Sequence, residues 1–170
     1  HSVFTGNRSD EFIQRIKGAT YEEIAKNGGG ILKSSYQINS ISLDDLYEES
    51  KKRIKSLIRQ GTGALEIKSG YGLSYDSELK MLEVISRLKN SLPIEIKSTF
   101  LGAHAVPKNY KKEEYFNLVI DKMLPDFVDK KLVDYVDIFC EENYFSANDT
   151  ISICKRANEL DVRVKIHTNQ

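Results

Sequence analysis

Short apolar runs alternate with amphipathic stretches along the chain from residue 64 onward. The runs at residues 64–68, 94–100, 135–140 and 162–166 are rich in β-branched and aromatic side chains, which predicts four strands. Strand starts recur every few tens of residues, the spacing of βαβ units in a parallel sheet. The pattern therefore predicts an α/β fold.

The stretches between these runs carry helical patterns. Apolar side chains recur every three residues over about residues 77–90, and a second helix is expected near residues 113–128, interrupted at Pro125. A capping box, Ser146-x-x-Asp149, begins a third helix before the last strand. Each predicted strand after the first is thus preceded by a predicted helix.

The amino-terminal third has a different pattern. Thr20-x-x-Glu23 and Ser42-x-x-Asp45 are capping boxes that predict a short helix and a longer one over about residues 43–60. Gly28-Gly29-Gly30 could cradle a phosphate, but no strand precedes it and no Lys-Ser/Thr follows it. A flexible turn or a close backbone approach is the better interpretation of the glycines. We find no internal repeat and no interdomain linker.

Composition excludes several classes of partner. With 25 basic and 25 acidic residues the formal net charge is zero, which argues against nucleic acid or an anionic membrane as a partner. A chain of 170 residues is one domain's worth and buries roughly 70% of its unfolded surface. Cys140 and Cys154 are expected to be buried free thiols in a reducing compartment. We see no membrane span and no secretory leader, so a cytoplasmic location is expected.

The three histidines suggest the chemistry. His104 and His167 each follow a predicted strand, as does Gly70-Tyr71-Gly72, and His1 opens the chain. Polar groups at the carboxyl ends of parallel strands point into one shared site. Neutral imidazole is the commonest metal ligand, so a metal-dependent enzyme is the first hypothesis. Taken singly, each histidine is more simply an ordinary, partly buried side chain.

The two ends of the chain also carry an expectation. The sequence opens at His1 without a methionine and stops at Gln170, directly after a strand that bears a candidate ligand. We therefore expect the 170 residues to be a piece of a longer chain.

Seven segments occur in one order along the chain: HSVFTGNR (1–8), GATYEEI (18–24), GGGI (28–31), EIKSGYGL (66–73), ELKML (78–82), LGAHAVP (101–107) and DIFCE (137–141). Together they closely resemble the imidazolonepropionase family of the amidohydrolase superfamily. The resemblance implies a partial (β/α)₈ barrel of the TIM type, from the end of strand one through strand five. Residues 1–170 would be part of the catalytic barrel domain, without strands six to eight and the family's small β-rich domain. It also implies a homodimer for the complete enzyme.

The resemblance implies metal-dependent hydrolysis of a ring C–N bond in 4-imidazolone-5-propanoate, giving N-formimino-L-glutamate in histidine degradation. His1 and His167 match two metal-binding histidines of the family, and the metal would be zinc or iron. A tag remnant is the alternative for His1, but the family-like residues after it argue against that. The remaining ligands and the general base would lie outside this chain, the base beyond Gln170. Two imidazoles alone make a weak metal site, so the 170 residues by themselves are expected to be inactive.

Four further positions match the family's substrate-binding residues: Arg8, Tyr71, His104 and Gln170. A guanidinium can grip the substrate's propanoate as a fork, and a phenol and an imidazole can add hydrogen bonds. Gln170 cannot act as a general base, so its implied role is hydrogen bonding to the imidazolone ring.

Two alternatives remain at this point. One is a non-catalytic, truncated half-barrel that folds only by pairing with another copy. The other is a different amidohydrolase acting on a cyclic amide or a nucleobase. Arg8, Tyr71 and His104 favour a small substrate that bears a carboxylate.

Overall fold

A four-stranded parallel sheet organises the chain, and the computed structural model describes residues 1–20, 23 and 29–169. The strands are β1 (Ala64–Lys68), β2 (Glu95–Ala103), β3 (Tyr135–Phe139) and β4 (Arg163–His167). They lie in the sheet in the order β1-β2-β3-β4, so each strand pairs with its successor in the sequence. All four predicted strands are present, and the first has the predicted bounds.

Helices fill the connections between these strands and the segment before them. In chain order the described ones are α1 (Ser9–Ile16), α2 (Ile31–Ser40), α3 (Leu43–Arg59), α4 (Tyr75–Ser91), α5 (Lys112–Asn117), a π-helical turn (Leu118–Met123), α6 (Leu124–Asp129) and α7 (Ala147–Glu159). Helices α4, α5, α6 and α7 overlap the predicted ones, and α3 is the predicted longer helix of the amino-terminal third.

One face of the sheet is apolar and covered by helices. Ile67, Ile96, Phe100, Val136 and Ile138 have no exposed surface and share one core with side chains of all the helices except α1. Side chains alternate between the faces of a strand, so this core occupies alternate positions of the strands. Consecutive strands side by side and one helical layer are the arrangement of successive βα units, whereas a doubly wound sheet has helices on both faces.

The opposite face is polar, and we call it the site face. Its members are Glu66, Lys68, Thr99, Asp137, Lys165 and His167, which the parallel register places on the same side of the sheet. The alternation of charged and apolar residues in strands β1 and β4 therefore reflects a sheet with chemically different faces.

Strand β2 is longer than the sequence predicted. It continues past Phe100 to Ala103, and the pairing with β3 shifts register between these two residues. Gly102 lies in that irregularity, where a Cβ atom would meet Cζ of Phe100 at 2.4 Å. A bulge of this kind re-aims the end of a strand, and His104 follows directly.

The long helix before β3 is interrupted, but not at the predicted residue. The π-helical turn Leu118–Met123 lies just ahead of Pro125, which itself occupies the first turn of α6. Proline has no N–H and its ring clashes with the carbonyl four residues earlier, here that of Asp121. A wider turn relieves that conflict without ending the helix.

Helices α1 and α2 were not predicted because neither has a side-chain cap. Gly30 stands before α2 with φ of 69°, a conformation that glycine adopts without strain. Gly30 therefore lies in a turn, which agrees with the prediction that the three glycines form a turn. Gly28 lies outside the described residues.

All three predicted capping boxes form side-chain hydrogen bonds. Thr20 and Glu23 bond each other's backbone N–H, as do Ser146 and Asp149. At Ser42 the N–H of Asp45 donates to the hydroxyl, but the hydroxyl itself then donates to the Asp45 carboxylate. The sequence signal thus located the starts of helices α3 and α7 correctly.

Two further expectations concern the burial of the two cysteines and the absence of a membrane-spanning helix. Cys140 and Cys154 are free thiols, and both are partly exposed rather than buried. Within the described part of the chain, no helix has the length and apolar character needed to cross a bilayer.

Candidate functional site

A cleft of about 350 Å³ lies beside the carboxyl end of β1. His1, Arg8 and Tyr71 line it, together with Phe4 and Ser34. Its volume is in the range of small-molecule sites. Three residues that the sequence selected as candidate metal-binding or substrate-binding residues therefore meet in one cavity.

The segment that carries His1 is fixed by helix α3. Val3 is fully buried in the core, and the Arg53 guanidinium donates to the carbonyls of Ser2, at 2.5 Å, and Phe4, at 3.2 Å. Arg53 also lies 3.7 Å from the centre of the Phe4 ring. These contacts hold the backbone on both sides of Val3 and so place His1 at the edge of the cleft.

Arg8 is oriented by a buried carboxylate. Its Nε donates to Oε2 of Glu11 at 2.7 Å, and the same oxygen accepts the backbone N–H of Gly30 at 3.1 Å. Glu11 is only 6% exposed. Because Glu11 engages Nε, the two terminal nitrogens of the guanidinium remain for another partner on the cleft side.

Imidazole rings from three parts of the chain lie close together. The His1 ring stacks on Tyr71, with ring centres 4.3 Å apart, and on His104 at 5.1 Å. The rings of His104 and His167 are 6.0 Å apart, edge to face. His104 and His167 thus share the carboxyl-terminal end of the sheet, as expected, and His104 lies between the other two.

His104 is held in one tautomer by the backbone. Its Nδ1 lies 2.8 Å from the carbonyl oxygen of Gly70, which can only accept, so Nδ1 carries the proton and Nε2 is an acceptor. Burial lowers the pKa of His104 to about 4, against the opposing effect of the Gly70 hydrogen bond. The ring is therefore neutral at physiological pH and cannot provide a positive charge for a carboxylate.

His167 is held by Asp137 on the neighbouring strand. Its Nδ1 lies 3.2 Å from Oδ2 of Asp137, a residue with no exposed surface. Lys68 donates to the same oxygen at 2.5 Å. A histidine that gives Nδ1–H to a carboxylate keeps Nε2 free as a ligand, the usual arrangement of metal-binding histidines.

Glu66 completes a chain of charges across the site face. Its carboxylate accepts from the Thr99 hydroxyl at 2.6 Å and lies 2.7 Å from Nζ of Lys165 and 3.1 Å from Nζ of Lys68. Burial opposes ionisation of Glu66, but these three donors outweigh it and lower its pKa to about 2. Glu66 and Lys68 are therefore held to each other and to neighbouring strands, and Lys68 extends to the carboxylate beside His167.

Three acidic residues of this site were missed in the sequence: Glu11, Asp137 and Glu78. Glu78 could have been found by its spacing, since Met81, Leu82 and Ile85 follow it on the buried face of α4. A carboxylate on an apolar helix face is costly unless it is hydrogen-bonded, which marks it as a residue with a specific partner. Glu11 lies three residues after its partner Arg8, a spacing that the sequence also shows. Asp137 gave no comparable signal, because its partners Lys68 and His167 lie on other strands.

The described residues do not form a complete metal site. No group of three or more His, Cys, Asp or Glu side chains suited to a metal occurs among them. His1 and His167 provide two imidazole donors of the type that zinc and iron accept, fewer than the three or four ligands such a site needs. Gln170, the fourth proposed substrate contact, lies outside the described residues.

The fold and the cleft together define a class. A parallel sheet with one helical layer has a phenol and two imidazoles at the carboxyl ends of its strands, and the segment of residues 1–8 brings a guanidinium and a third imidazole beside them. This is the arrangement of an α/β enzyme site. Over its whole length the chain is 52% identical to the imidazolonepropionase of Flavobacterium johnsoniae and 51% identical to that of Flavobacterium psychrophilum. The imidazolonepropionase of Clostridium tetani is 42% identical, again over all of the chain. The chain is thus homologous from end to end to part of the imidazolonepropionases.

These relatives are much longer than the chain. The alignments cover 100% of the chain but only 41–42% of each relative, so the chain spans about two fifths of the length of the curated relatives it matches. No protein-family model matches the chain.

Proposed function

We propose that the protein containing this chain hydrolyses 4-imidazolone-5-propanoate to N-formimino-L-glutamate in histidine degradation. The observation that carries this proposal is the meeting of His1, Arg8 and Tyr71 in one cleft. The homology to imidazolonepropionases supports the same reaction. In that reaction water adds to the ring carbonyl carbon, the adjacent ring C–N bond breaks, and the leaving nitrogen takes up a proton.

Arg8 binds the propanoate of the substrate. Glu11 holds Nε of its guanidinium at 2.7 Å, which leaves both terminal nitrogens to meet a carboxylate at two points. A fixed orientation reduces the entropy lost when the fork binds its partner.

Tyr71 and His104 bind the imidazolone ring. Tyr71 stacks on His1 at the cleft wall, and the neutral His104 offers Nε2 as an acceptor for a ring N–H. Because His104 has a pKa of about 4, it stays uncharged while the substrate's single carboxylate is bound by Arg8. Gln170 adds a further hydrogen bond to the ring.

His1 and His167 provide two of the ligands for one zinc or iron ion, and the others belong to the rest of the protein. The chemistry such an ion supplies is Lewis acidity toward water and toward the ring carbonyl. Within this chain, Asp137 keeps the Nε2 lone pair of His167 available by accepting from Nδ1.

The chain is part of a (β/α)₈ barrel whose interior is the site face. The sequential strand order and single helical layer support this architecture. Strands six to eight and a small β-rich domain complete the protein, which is a cytoplasmic homodimer.

Turnover by the full-length protein tests the proposal. The purified protein should convert 4-imidazolone-5-propanoate to N-formimino-L-glutamate, and a cyclic amide or nucleobase without a carboxylate should not be hydrolysed. Arg8→Lys should lower kcat/KM by roughly 10- to 150-fold, because an interaction with a charged group contributes about 1.5–3 kcal/mol. Arg15→Lys, on the exposed part of α1, is the matched control. Absence of turnover, or an equal effect of both variants, would contradict the proposal.

A further inference from the structure

Glu78 is a buried carboxylate whose hydrogen-bond partners, among the described residues, do not include any proposed substrate or metal residue. It lies in the first turns of α4 and has no exposed surface. Its partners are the Ser69 hydroxyl and backbone N–H groups of the loop after β1. Gly70 donates to its carboxylate at 3.0 Å, Gly72 at 2.6 Å and Leu73 at 3.1 Å. One side chain thus binds three backbone donors that lie on both sides of Tyr71.

The loop could not keep this shape by itself. Gly70 has φ of 103° and Leu73 has φ of 52°, a left-handed conformation that is unfavourable for leucine. A Cβ at Gly70 would meet the Leu101 carbonyl oxygen at 2.8 Å, and one at Gly72 would meet the Glu78 nitrogen at 2.4 Å. The loop is therefore packed closely against β2 on one side and α4 on the other.

The same loop connects Glu78 to two residues of the cleft region. Tyr71 lies between Gly70 and Gly72, whose N–H groups Glu78 accepts, and its ring stacks on His1. The carbonyl of Gly70 accepts Nδ1–H of His104 at 2.8 Å. A displacement of the Gly70 peptide would therefore change both the position of Tyr71 and the tautomer of His104.

Burial raises the pKa of Glu78, against the lowering effect of the Ser69 hydroxyl and the loop N–H groups. Keeping an acid at such a position is costly unless its hydrogen bonds are made. An apolar side chain at position 78 could not accept the hydrogen bonds of these loop N–H groups.

We infer that Glu78 is a positioning residue. Its carboxylate holds the Gly70–Leu73 loop in one conformation, so that Tyr71 and His104 are placed to bind the substrate ring. This inference rests on the proposed function for its substrate, but the loop contacts are independent of it. Glu78 acts through Tyr71 and His104 and does not touch the substrate.

Glu78→Gln replaces one acceptor oxygen with an NH₂ group that faces N–H donors. In the full-length protein we expect kcat/KM for 4-imidazolone-5-propanoate to fall by about 10- to 100-fold, since a misplacement of about 1 Å is worth about 100-fold in rate. Glu83→Gln makes the same chemical change on the same helix, at a partly exposed site, and should leave kcat/KM unchanged.

Hydrogen–deuterium exchange separates positioning from general destabilisation. In Glu78→Gln, peptides that cover residues 69–73 should exchange at least about 10-fold faster, while peptides from β3 and α7 keep wild-type rates. If that variant does not fold, Glu78→Asp carries the same test, because it keeps the charge but is one methylene too short to reach the loop. A folded Glu78 variant with wild-type loop exchange, or with wild-type kcat/KM, would overturn the inference. Lack of turnover by the wild-type protein would overturn the proposed function alone, because the exchange experiment needs no substrate.

Discussion

Nδ1 of His167 lies 3.2 Å from Oδ2 of Asp137, so a fully buried carboxylate on β3 holds the imidazole at the end of β4. Lys68 binds the same oxygen from β1, with β2 between the two strands. The orientation of one ring at the end of β4 therefore depends on charged groups contributed by two other strands, β1 and β3.

Asp137→Asn should weaken metal binding by the full-length protein. Asparagine has no charge to offset Lys68, which would keep only its ion pair with Glu66 and would place a less balanced positive charge near His167. Loss of a residue that orients a ligand lowers metal affinity by about 10- to 100-fold. Competition with a chelator, followed by metal analysis, measures this. Asp121→Asn, an exposed change in the helical layer, is the control, and equal affinities in the two variants would argue against the orienting role.

Gly72→Ala should destabilise the protein. The added Cβ would lie 2.4 Å from the backbone nitrogen of Glu78, and backbone cannot move aside as a flexible side chain can. Overpacking of this kind costs about 1–3 kcal/mol. Gly63→Ala is the matched control, because nothing lies within 4 Å of a Cβ at that position. Thermal melting compares them, and similar melting temperatures would mean that the loop can move away from α4.

Glu66 should contribute stability that depends on pH. Its folded-state pKa is about 2, below the ordinary 4.5, so the unfolded state binds more protons between these values. The contribution is therefore complete above about pH 4.5 and is lost as the pH falls toward 2. We expect about 1–2 kcal/mol, because the side chain is partly exposed and solvent screens its ion pairs.

The comparison with Glu66→Gln isolates that contribution from other carboxylates. Wild-type and variant proteins are unfolded with urea at pH 6 and at pH 3. The stability difference should shrink by more than half at the lower pH. A difference that stays constant would show that hydrogen bonding, and not charge, stabilises Glu66.

The 170 residues expressed alone should be inactive and self-associating. In the described sheet β1 and β4 each have one unpaired edge, and Ile166 on β4 is 50% exposed. Unpaired edges and exposed apolar side chains favour association. Light scattering gives the mass and a turnover assay gives the activity. A monomer with the activity of the full-length protein would rule out this expectation.

Periodicity predicted the sheet well because its strands and helices carry their own local signals. In residues 64–68, apolar and charged side chains alternate because the strand has one buried face. At Ser146-x-x-Asp149, the capping box marks the start of the helix. Helix α2 had no such signal, since Gly30 begins it without a side-chain cap. The end of β2 was misjudged because the bulge near Gly102 depends on packing against Phe100, a contact that periodicity does not encode.

The residues of the candidate site also fall into two groups, those that the sequence could locate and those that it could not. His104 and His167 could be placed together because both follow parallel strands, whose carboxyl ends meet at one edge. Asp137 could not be placed beside them, since its partners Lys68 and His167 lie on other strands. Resemblance supplied the roles of Arg8 and Tyr71, while the cleft that joins them required the structure.

The π-helical turn has a consequence for single-residue deletions. Tyr115, Val119, Met123 and Phe127 are fully buried and recur every four residues, a spacing that would drift around an ordinary helix. Deleting one residue between Val119 and Met123 would change the intervals to four, three and four, which suit a regular α-helix. This helix can therefore lose a residue and keep its apolar face, provided that Pro125 is also replaced, whereas one deletion in α4 would turn the residues after it by about 100°.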